Sequence, residues 1–166
     1  RWRRKKQLER TMAKRPDMYE RFVPESELDR ELAARIKKES GRKQLTEPLT
    51  LRKAEEGDIP RILKITEDAR ASLRRHRVDQ WQGEYPTREI FENDIRIGEC
   101  YVICHGDEVA AFFVHSEREE PTYADITDGK WTADMPYCVL HRAAVAAEYR
   151  GTGVSGQLIK FVEQLT

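Results

Sequence analysis

The sequence predicts an α/β (α+β) fold, in which helices flank a mixed, mostly antiparallel sheet and a two-helix appendage precedes it. Three observations support this class. Apolar residues recur at helical spacing in several separate segments. Two strand-like runs are joined by a tight Gly106-Asp107 turn, which is typical of an antiparallel hairpin. Near the C-terminus, an apolar run leads through a glycine-rich turn into a last helix with apolar periodicity.

The N-terminal appendage is predicted to contain two helices. The first covers residues 1–15 and stops at Pro16, which cannot donate a backbone hydrogen bond. The second covers residues 25–39 and starts at a capping box, Ser26-Glu27-Leu28-Asp29. Its apolar stripe follows i, i+4, i+8 spacing and consists of Leu28, Leu32 and Ile36. Residues 41–48 are polar, show no periodicity and are predicted to be a linker.

The chain is therefore divided into an appendage over residues 1–40 and a larger domain over residues 49–166. The larger domain opens with a short alternating strand at 49–52. Two amphipathic helices follow, and we expect Asp58 to cap the first and Thr87 to cap the second. Together these elements supply the layer of helices that precedes the main strands.

The second half of the domain is predicted to supply most of the sheet. Strands at 100–105 and 108–115 form the hairpin, and a third strand covers 137–145. Residues 74–86 are predicted to be irregular, and the last helix covers 154–165. The order is strand, helix, helix, three strands, loop and helix.

Composition excludes several classes of protein. Thirty Lys and Arg residues balance thirty Asp and Glu residues, so net charge alone indicates no partner. The first fifteen residues are an exception, because they hold eight Lys or Arg and one Glu. No run is long and apolar enough to span a bilayer, and no signal peptide pattern is present. The three cysteines lack ligand spacing, so we predict no metal site and interpret them as buried thiols of a cytoplasmic protein: Cys100, Cys104 and Cys138.

The glycine-rich turn at residues 150–156 is predicted to bind a phosphate-bearing ligand. Backbone amides at a helix N-terminus attract anions, and glycine lets the backbone approach a phosphate closely. Arg150 adds a fixed positive charge. The run lacks the Lys-Ser/Thr pair of a P-loop, and its glycines do not have the spacing of a dinucleotide-binding fold. An ordinary strand-turn-helix with a glycine cap is the alternative interpretation.

This turn resembles the acyl-CoA pyrophosphate loop of the GNAT (GCN5-related) N-acetyltransferases. Arg150, Gly153 and Ser155 take the three defined places of the (Gln/Arg)-x-x-Gly-x-(Gly/Ala) pattern, although Ser155 departs from Gly/Ala. The resemblance implies acetyl transfer from acetyl-CoA to an amine substrate. It also implies that backbone groups on the preceding strand pair with pantetheine and that the turn holds the pyrophosphate. The implied cofactor-binding residues are Ala143, Val145, Arg150, Gly151, Thr152, Gly153, Val154, Ser155 and Gly156.

Acetyl transfer requires that the acceptor amine lose a proton, and His141 is the candidate catalytic base. It precedes Val145 by four residues and would share its face of an ideal strand, unless a bulge intervenes. The alternative is a structural histidine, and Arg142 is interpreted as a surface or pairing charge. Four aromatic residues are candidates for the acceptor pocket, with core packing as the alternative: Trp81, Tyr85, Tyr123 and Trp131.

Residues 1–40 resemble a different family, the bacterial tRNA (guanine-37-N1)-methyltransferases. The run Trp2-Arg3-Arg4, an Arg10-Thr11 pair and Arg15-Pro16-Asp17 match a stretch of that family's C-terminal domain, with Lys14-Arg15 in place of paired arginines. The resemblance implies a tRNA contact through residues 1–15 and a homodimer formed by the parent methyltransferase. S-adenosylmethionine would be bound only in a domain that precedes this segment. The candidate RNA-binding residues are Trp2, Arg3, Arg4, Arg10 and Arg15.

Two hypotheses follow. In the first, the chain is the junction of a fusion protein in which a tRNA methyltransferase tail precedes an acetyltransferase domain. The GNAT pattern ordinarily continues with another strand and a general-acid Tyr, which would lie beyond Thr166, so we expect an incomplete GNAT fold and an inactive or partly active chain. In the second, the chain is a tRNA methyltransferase fragment whose basic helix binds tRNA, and the GNAT-like part is a CoA-binding or interaction module.

Overall fold

The computed structural model describes residues 1–118, 128–129 and 135–166. These residues form two compact units, Arg1–Lys43 and Gln44–Thr166, which we call the helical unit and the sheet unit and describe separately. No helix among the described residues has the length and apolar character needed to cross a bilayer.

The helical unit contains three helices. They are α1 (Trp2–Lys14), α2 (Pro16–Glu20) and α3 (Glu27–Ser40). The sequence predicted only two, because Pro16 was interpreted as a stop; the structure places it in the first turn of α2, where a missing amide costs nothing. The core of the unit is small and consists of Leu8, Leu32 and Ile36, with Met12, Tyr19 and Phe22 packed against it.

The N-terminus of α3 is held by the predicted cap and by an ion pair. The hydroxyl of Ser26 accepts from the Asp29 amide at 3.1 Å, which confirms the capping interaction. The Asp29 carboxylate accepts two bonds from the Arg4 guanidinium, at 2.7 and 2.9 Å. The first residue of the predicted stripe, Leu28, remains 37% exposed, so only part of that stripe is buried.

Glu39 of α3 is predicted to titrate far below an ordinary glutamate. Lys5 Nζ and Arg35 Nε each lie 2.9 Å from its carboxylate, and these contacts lower the pKa of Glu39 from 4.5 to about 2. A ¹³C NMR titration of the side-chain carboxyl should give that midpoint. Because this pKa is lowered, the ionised Glu39 carboxylate contributes fully to the stability of the folded state above pH 4.5. That contribution is lost as the pH falls through about 2.

Lys5→Gln should raise the titration midpoint of Glu39, since it removes the contact that lowers the pKa most. Lys6→Gln is the matched control, because the Lys6 ammonium pairs with Glu9 rather than with Glu39. An unchanged midpoint in Lys5→Gln would contradict the assignment.

Within its described residues, the sheet unit has four strands, three α-helices and two short 3-10 turns. Its strands pair in the order β1-β2-β3-β4, and every pair is antiparallel. The strands are β1 (Leu49–Lys53), β2 (Cys100–His105), β3 (Glu108–Ser116) and β4 (Val139–Val145). The helices are α4 (Ile59–Arg75), α5 (Arg88–Arg96) and α6 (Val154–Leu165), and the 3-10 turns cover Glu56–Asp58 and Ala147–Tyr149. This arrangement confirms the predicted fold class and the hairpin turn at residues 106–107.

The two predicted helix caps differ from expectation. Asp58 occupies the N-cap of α4, but its carboxylate accepts from the Glu55 amide and from Arg52 and makes no bond to the helix. It belongs to a capping box around the 3-10 turn, which the sequence pattern did not separate from the helix start. Thr87 is at the N-cap of α5 in extended geometry, and its side chain makes no cap bond.

The core of the sheet unit lies on both faces of β2 and β3. Phe112 of β3 packs edge-on against Phe91 of α5 with ring centroids 5.3 Å apart, and neither residue is exposed to solvent. Cys100 and Cys104 are buried in this core as free thiols, and burial raises the pKa of Cys100 to about 12. Cys138 is only half-buried, so the prediction of a buried thiol is wrong for this residue.

Candidate active site

The turn between β4 and α6 has the backbone geometry of an anion-binding site. Two glycines adopt left-handed backbone, Gly151 at φ 77° and Gly153 at φ 101°. Gly153 is the N-cap of α6, and the first bond of the helix runs from Gln157 N to Gly153 O at 3.1 Å. The amides of residues 154–156 therefore have no acceptor within the helix. They present partial positive charge at the start of α6.

Two side chains hold the turn against the end of β4. Thr152 Oγ1 donates to the Tyr149 carbonyl at 2.6 Å, and Arg150 Nε donates to the Val145 carbonyl at 3.2 Å. The Ala146 amide donates to β3, so strand alternation directs the Val145 amide and carbonyl to the opposite edge of β4. That edge is the one at which the family resemblance places pantetheine.

A hydrogen-bond network around the buried Tyr149 lies next to the turn. Tyr149 is fully buried, and its hydroxyl donates to Glu108 Oε2 at 3.0 Å and lies 3.2 Å from His105 Nδ1. His105 Nε2 accepts from the backbone amides of Thr46 and Glu47 at 3.0 and 3.2 Å, so Nδ1 carries the ring proton. The network fixes the 3-10 turn that leads to the glycines onto the β2–β3 hairpin.

A β-bulge interrupts β4 and changes the predicted orientation of His141. His141 pairs with Val114 of β3, and Val145 pairs with Ala111, so four residues of β4 span only three of β3. Cross-strand partners share a face, and residues three apart on β3 face opposite sides. The expectation that His141 and Val145 share a face is therefore wrong. His141 lies half-buried on the face that α5 covers, together with Ala144.

The bulge contains Arg142, whose backbone is left-handed at φ 45°. Its guanidinium bonds the Asp94 carboxylate of α5 twice, at 2.9 and 3.0 Å, and its Nη1 donates to the Tyr85 hydroxyl at 3.0 Å. The side chains of Asp94 and Arg142 are 4% and 14% exposed. Burial raises the pKa of Asp94, and the guanidinium opposes that shift. Of the two expectations for Arg142, pairing is confirmed, but the pair is buried.

Asp94 is a residue of this site that sequence reasoning missed. It is 48 residues from Arg142 along the chain, and one acidic residue in an amphipathic helix carries no local signal of a distant partner. The signal available was weak: Asp94 adjoins apolar helix positions instead of lying on the fully polar face. Its role became visible only when α5 was placed against β4.

The two described aromatic candidates occupy different environments. Trp81, at φ 58°, packs against the hydrophobic core of the sheet unit. Tyr85 is 45% exposed and contacts Arg142, and the carbonyls of Glu84, Tyr85 and Pro86 all accept from Arg70 at 2.7–3.1 Å. The other two candidates, Tyr123 and Trp131, lie outside the described residues.

The family model for the GNAT acetyltransferases matches residues 64–166, which is more than half of the chain. The chain belongs to the GNAT acetyltransferase family. The match starts within α4, so β1 lies before it although it pairs with β2 in the same sheet. A search of the curated proteins found no match.

Solved structures agree with the GNAT assignment. A GNAT-family acetyltransferase from Streptococcus agalactiae is 30% identical with a TM-score of 0.66, covering 70% of this chain and 69% of that one. A putative acetyltransferase from Staphylococcus aureus is 25% identical with a TM-score of 0.53, covering 69% and 72%. A GNAT-family acetyltransferase from Listeria monocytogenes, 21% identical with a TM-score of 0.55 and coverage of 70% and 69%, shares the fold.

GNAT proteins use acetyl-CoA, and the turn of this GNAT domain fits its pyrophosphate. The first-turn amides supply donors, and a β-carbon added at Gly153 or Gly156 would meet no atom within 4 Å, so the surface above them is open. Among the residues described, no group of three or more His, Cys, Asp and Glu side chains could hold a metal ion. The GNAT model does not extend to the helical unit, so the methyltransferase resemblance remains a prediction.

The helical unit brings most of the predicted RNA-binding residues together. A groove of about 450 Å³ is lined by Trp2, Arg3, Lys6, Gln7, Arg10, Thr11, Arg15 and Met18. The exception among the predicted residues is Arg4, whose guanidinium is bound to Asp29. Within the described part of the chain, Arg3 and Arg10 have no ion-pair partner, whereas Arg15 pairs with Asp17. Trp2 is 71% exposed at this groove.

Proposed function

We propose that the sheet unit transfers an acetyl group from acetyl-CoA to an amine. The observation that carries this proposal is the glycine-rich turn before α6, where two left-handed glycines and the open amides of residues 154–156 follow β4 and a short 3-10 turn in a GNAT domain. The amides between Gly151 and Gly156 would hold the pyrophosphate. The outward backbone groups of Val145, together with those of Ala143, would pair with pantetheine as a neighbouring strand does.

Acetyl-CoA supplies an activated thioester carbonyl, and the protein must orient it and manage one proton. As the acceptor nitrogen attacks the thioester carbonyl, the C–S bond breaks and CoA leaves as a thiolate, which takes up a proton from water. The nitrogen loses one proton, and we propose His141 as the group that accepts it, directly or through a water molecule. This proposal rests on its place beside the bulge of β4. Tyr85 and Trp81 are proposed to border the acceptor, because loops on a rigid scaffold usually carry specificity.

Calorimetric titration with acetyl-CoA tests the proposal directly, followed by a transfer assay with a panel of small amines, an N-terminal peptide and a lysine peptide. We expect saturable binding and acetylation of at least one class of amine. His141→Gln should lower the rate without weakening acetyl-CoA binding. Absence of binding by the folded protein would contradict the proposal.

We also propose a second function, a tRNA contact through the helical unit. The specific observation is the groove of α1 and α2, where Arg3 and Arg10 lie beside the exposed indole of Trp2. Unpaired guanidinium groups neutralise phosphates, and an exposed aromatic ring can stack on an unpaired base. In this proposal the unit is the tail of a tRNA (guanine-37-N1)-methyltransferase, with S-adenosylmethionine and dimer formation belonging to the parent methyltransferase.

Fluorescence anisotropy with labelled tRNA at several salt concentrations tests the second function. The double substitution Arg3→Gln/Arg10→Gln should weaken binding and reduce the salt dependence by about two phosphate contacts. Arg30→Gln is the control, because Arg30 is an exposed arginine of α3 that does not line the groove. If the double variant binds as the wild type does, the groove is not the tRNA site.

A further inference from the structure

The bulge of β4 is held by contacts that local strand pairing does not explain. Arg142 and Ala143 together oppose Phe113 of β3, so the ladder is interrupted at this point. Arg142 has a left-handed backbone, which a non-glycine residue keeps only where its surroundings enforce it. The enforcing group is the Asp94 carboxylate, which takes two bonds from the guanidinium while 4% exposed.

The same guanidinium reaches the loop before α5. Its Nη1 donates to the Tyr85 hydroxyl at 3.0 Å, so one planar group connects the bulge, α5 and Tyr85. The backbone around Tyr85 is fixed independently, because Arg70 donates to three consecutive carbonyls there. The Arg142 guanidinium is therefore bonded to Asp94 on one side and to a backbone-fixed Tyr85 on the other, and it has little freedom to move.

We propose that Arg142 is a positioning residue: its contacts with Asp94 and Tyr85 hold the β4 bulge in the geometry that receives the acetyl thioester. The inference rests on the proposed acetyl-CoA binding along β4. A bulge takes a residue out of the ladder and directs its backbone groups elsewhere. Here they lie on β4 beside Ala143, at the end of the proposed pantetheine contacts that is farther from the glycine-rich turn. In this proposal, the glycine-rich turn supplies the affinity for acetyl-CoA, and the β4 bulge orients the thioester.

Binding of acetyl-CoA labelled with ¹³C at the thioester carbonyl separates these two contributions without requiring the acceptor to be known. In the wild type, a hydrogen bond from the bulge should move the carbonyl resonance downfield on binding. Arg142→Lys keeps a cation beside Asp94 but loses the planar fork, since an ammonium cannot reproduce its bidentate geometry. We expect this variant to bind acetyl-CoA with unchanged affinity and to lose the downfield shift.

The matched control is Arg52→Lys. Arg52 makes the same kind of fork with Asp58, at 2.6 and 2.8 Å, on β1 at the opposite edge of the sheet. If these arginine–aspartate pairs only stabilised the fold, Arg142→Lys and Arg52→Lys would change the carbonyl shift alike. The proposal instead expects Arg52→Lys to keep the shift. Tyr85→Phe is a second variant that removes one oxygen from a half-exposed side chain; it should reduce the shift even if Arg142→Lys does not fold.

The inference is overturned if Arg142→Lys retains the shift, if Arg52→Lys loses it equally, or if wild-type protein binds acetyl-CoA with no carbonyl shift. In all three cases acetyl-CoA still binds, so the proposed function stands. Absence of acetyl-CoA binding by the wild type would instead overturn the proposed function, and the inference with it. With an acetylated amine in hand, Arg142→Lys should lower kcat about 10- to 100-fold, since small errors in orientation are costly.

Discussion

Gly156→Glu should reduce acetyl-CoA affinity by about 100-fold or more, because two like charges about 4 Å apart near a protein surface repel by about 4 kcal/mol. Gly156 is in the first turn of α6, and a β-carbon added there meets no atom within 4 Å outside the neighbouring helix backbone. The new carboxylate would stand where the ligand's pyrophosphate is proposed to bind. The helix itself tolerates the change, since an acidic residue in the first turn interacts favourably with the helix dipole.

Gly156→Gln is the matched control, with the same size and no charge. It should keep most of the affinity, and both variants should melt at or above the wild-type temperature, because glycine is a poor helix residue. Calorimetric titration with acetyl-CoA and thermal melting measured by circular dichroism provide the two readouts. If the Glu and Gln variants bind equally, the first turn of α6 does not hold the pyrophosphate.

Phe112→Ala should destabilise the sheet unit by about 3–5 kcal/mol, the usual cost of removing a large aromatic side chain from a packed core. Phe112 is fully buried, packs against Phe91 and pairs with Ala144 next to the bulge of β4. Its loss therefore leaves a cavity between α5 and the strand that carries the site. Urea unfolding followed by tryptophan fluorescence gives the change in free energy of unfolding.

Ile159→Ala provides the comparison for that measurement. Ile159 is 50% exposed on α6, and alanine favours the helix, so the free energy of unfolding should change by about 0.5 kcal/mol or less. Equal effects of the two substitutions would show that the region between α5 and β3 is not the main core of this unit.

Much of the sheet unit could be predicted because its signals are local. The β2–β3 hairpin follows from two apolar runs on either side of a Gly-Asp turn, and the glycine spacing at 151 and 153 follows from backbone conformations that other residues rarely adopt. The short helix α2 was missed because Pro16 fits both the end of one helix and the start of the next. Local patterns cannot distinguish these two cases without knowing where the chain turns.

The site was predicted less completely than the fold. The amides and glycines of the turn belong to one continuous segment, so their spacing shows what they could bind. The orientation of His141 depends on a bulge in β4, and the bulge residue Arg142 is bonded to Asp94 of α5. Because the two bonded residues are 48 positions apart in the sequence, no local spacing pattern predicts the bond.

The sequence by itself determined the order of α-helices and strands in the sheet unit, the glycine-rich turn and its resemblance to the GNAT pattern, because each depends on neighbouring residues and on backbone chemistry. Only the tertiary structure decided which face His141 occupies, that Arg142 is buried against Asp94, and that Tyr85 contacts the bulge while Trp81 packs in the core. The physical reason is that cross-strand register and buried ion pairs are set by the packing of α5 on the sheet. Packing of that kind brings together residues whose separation along the chain carries no periodic signal.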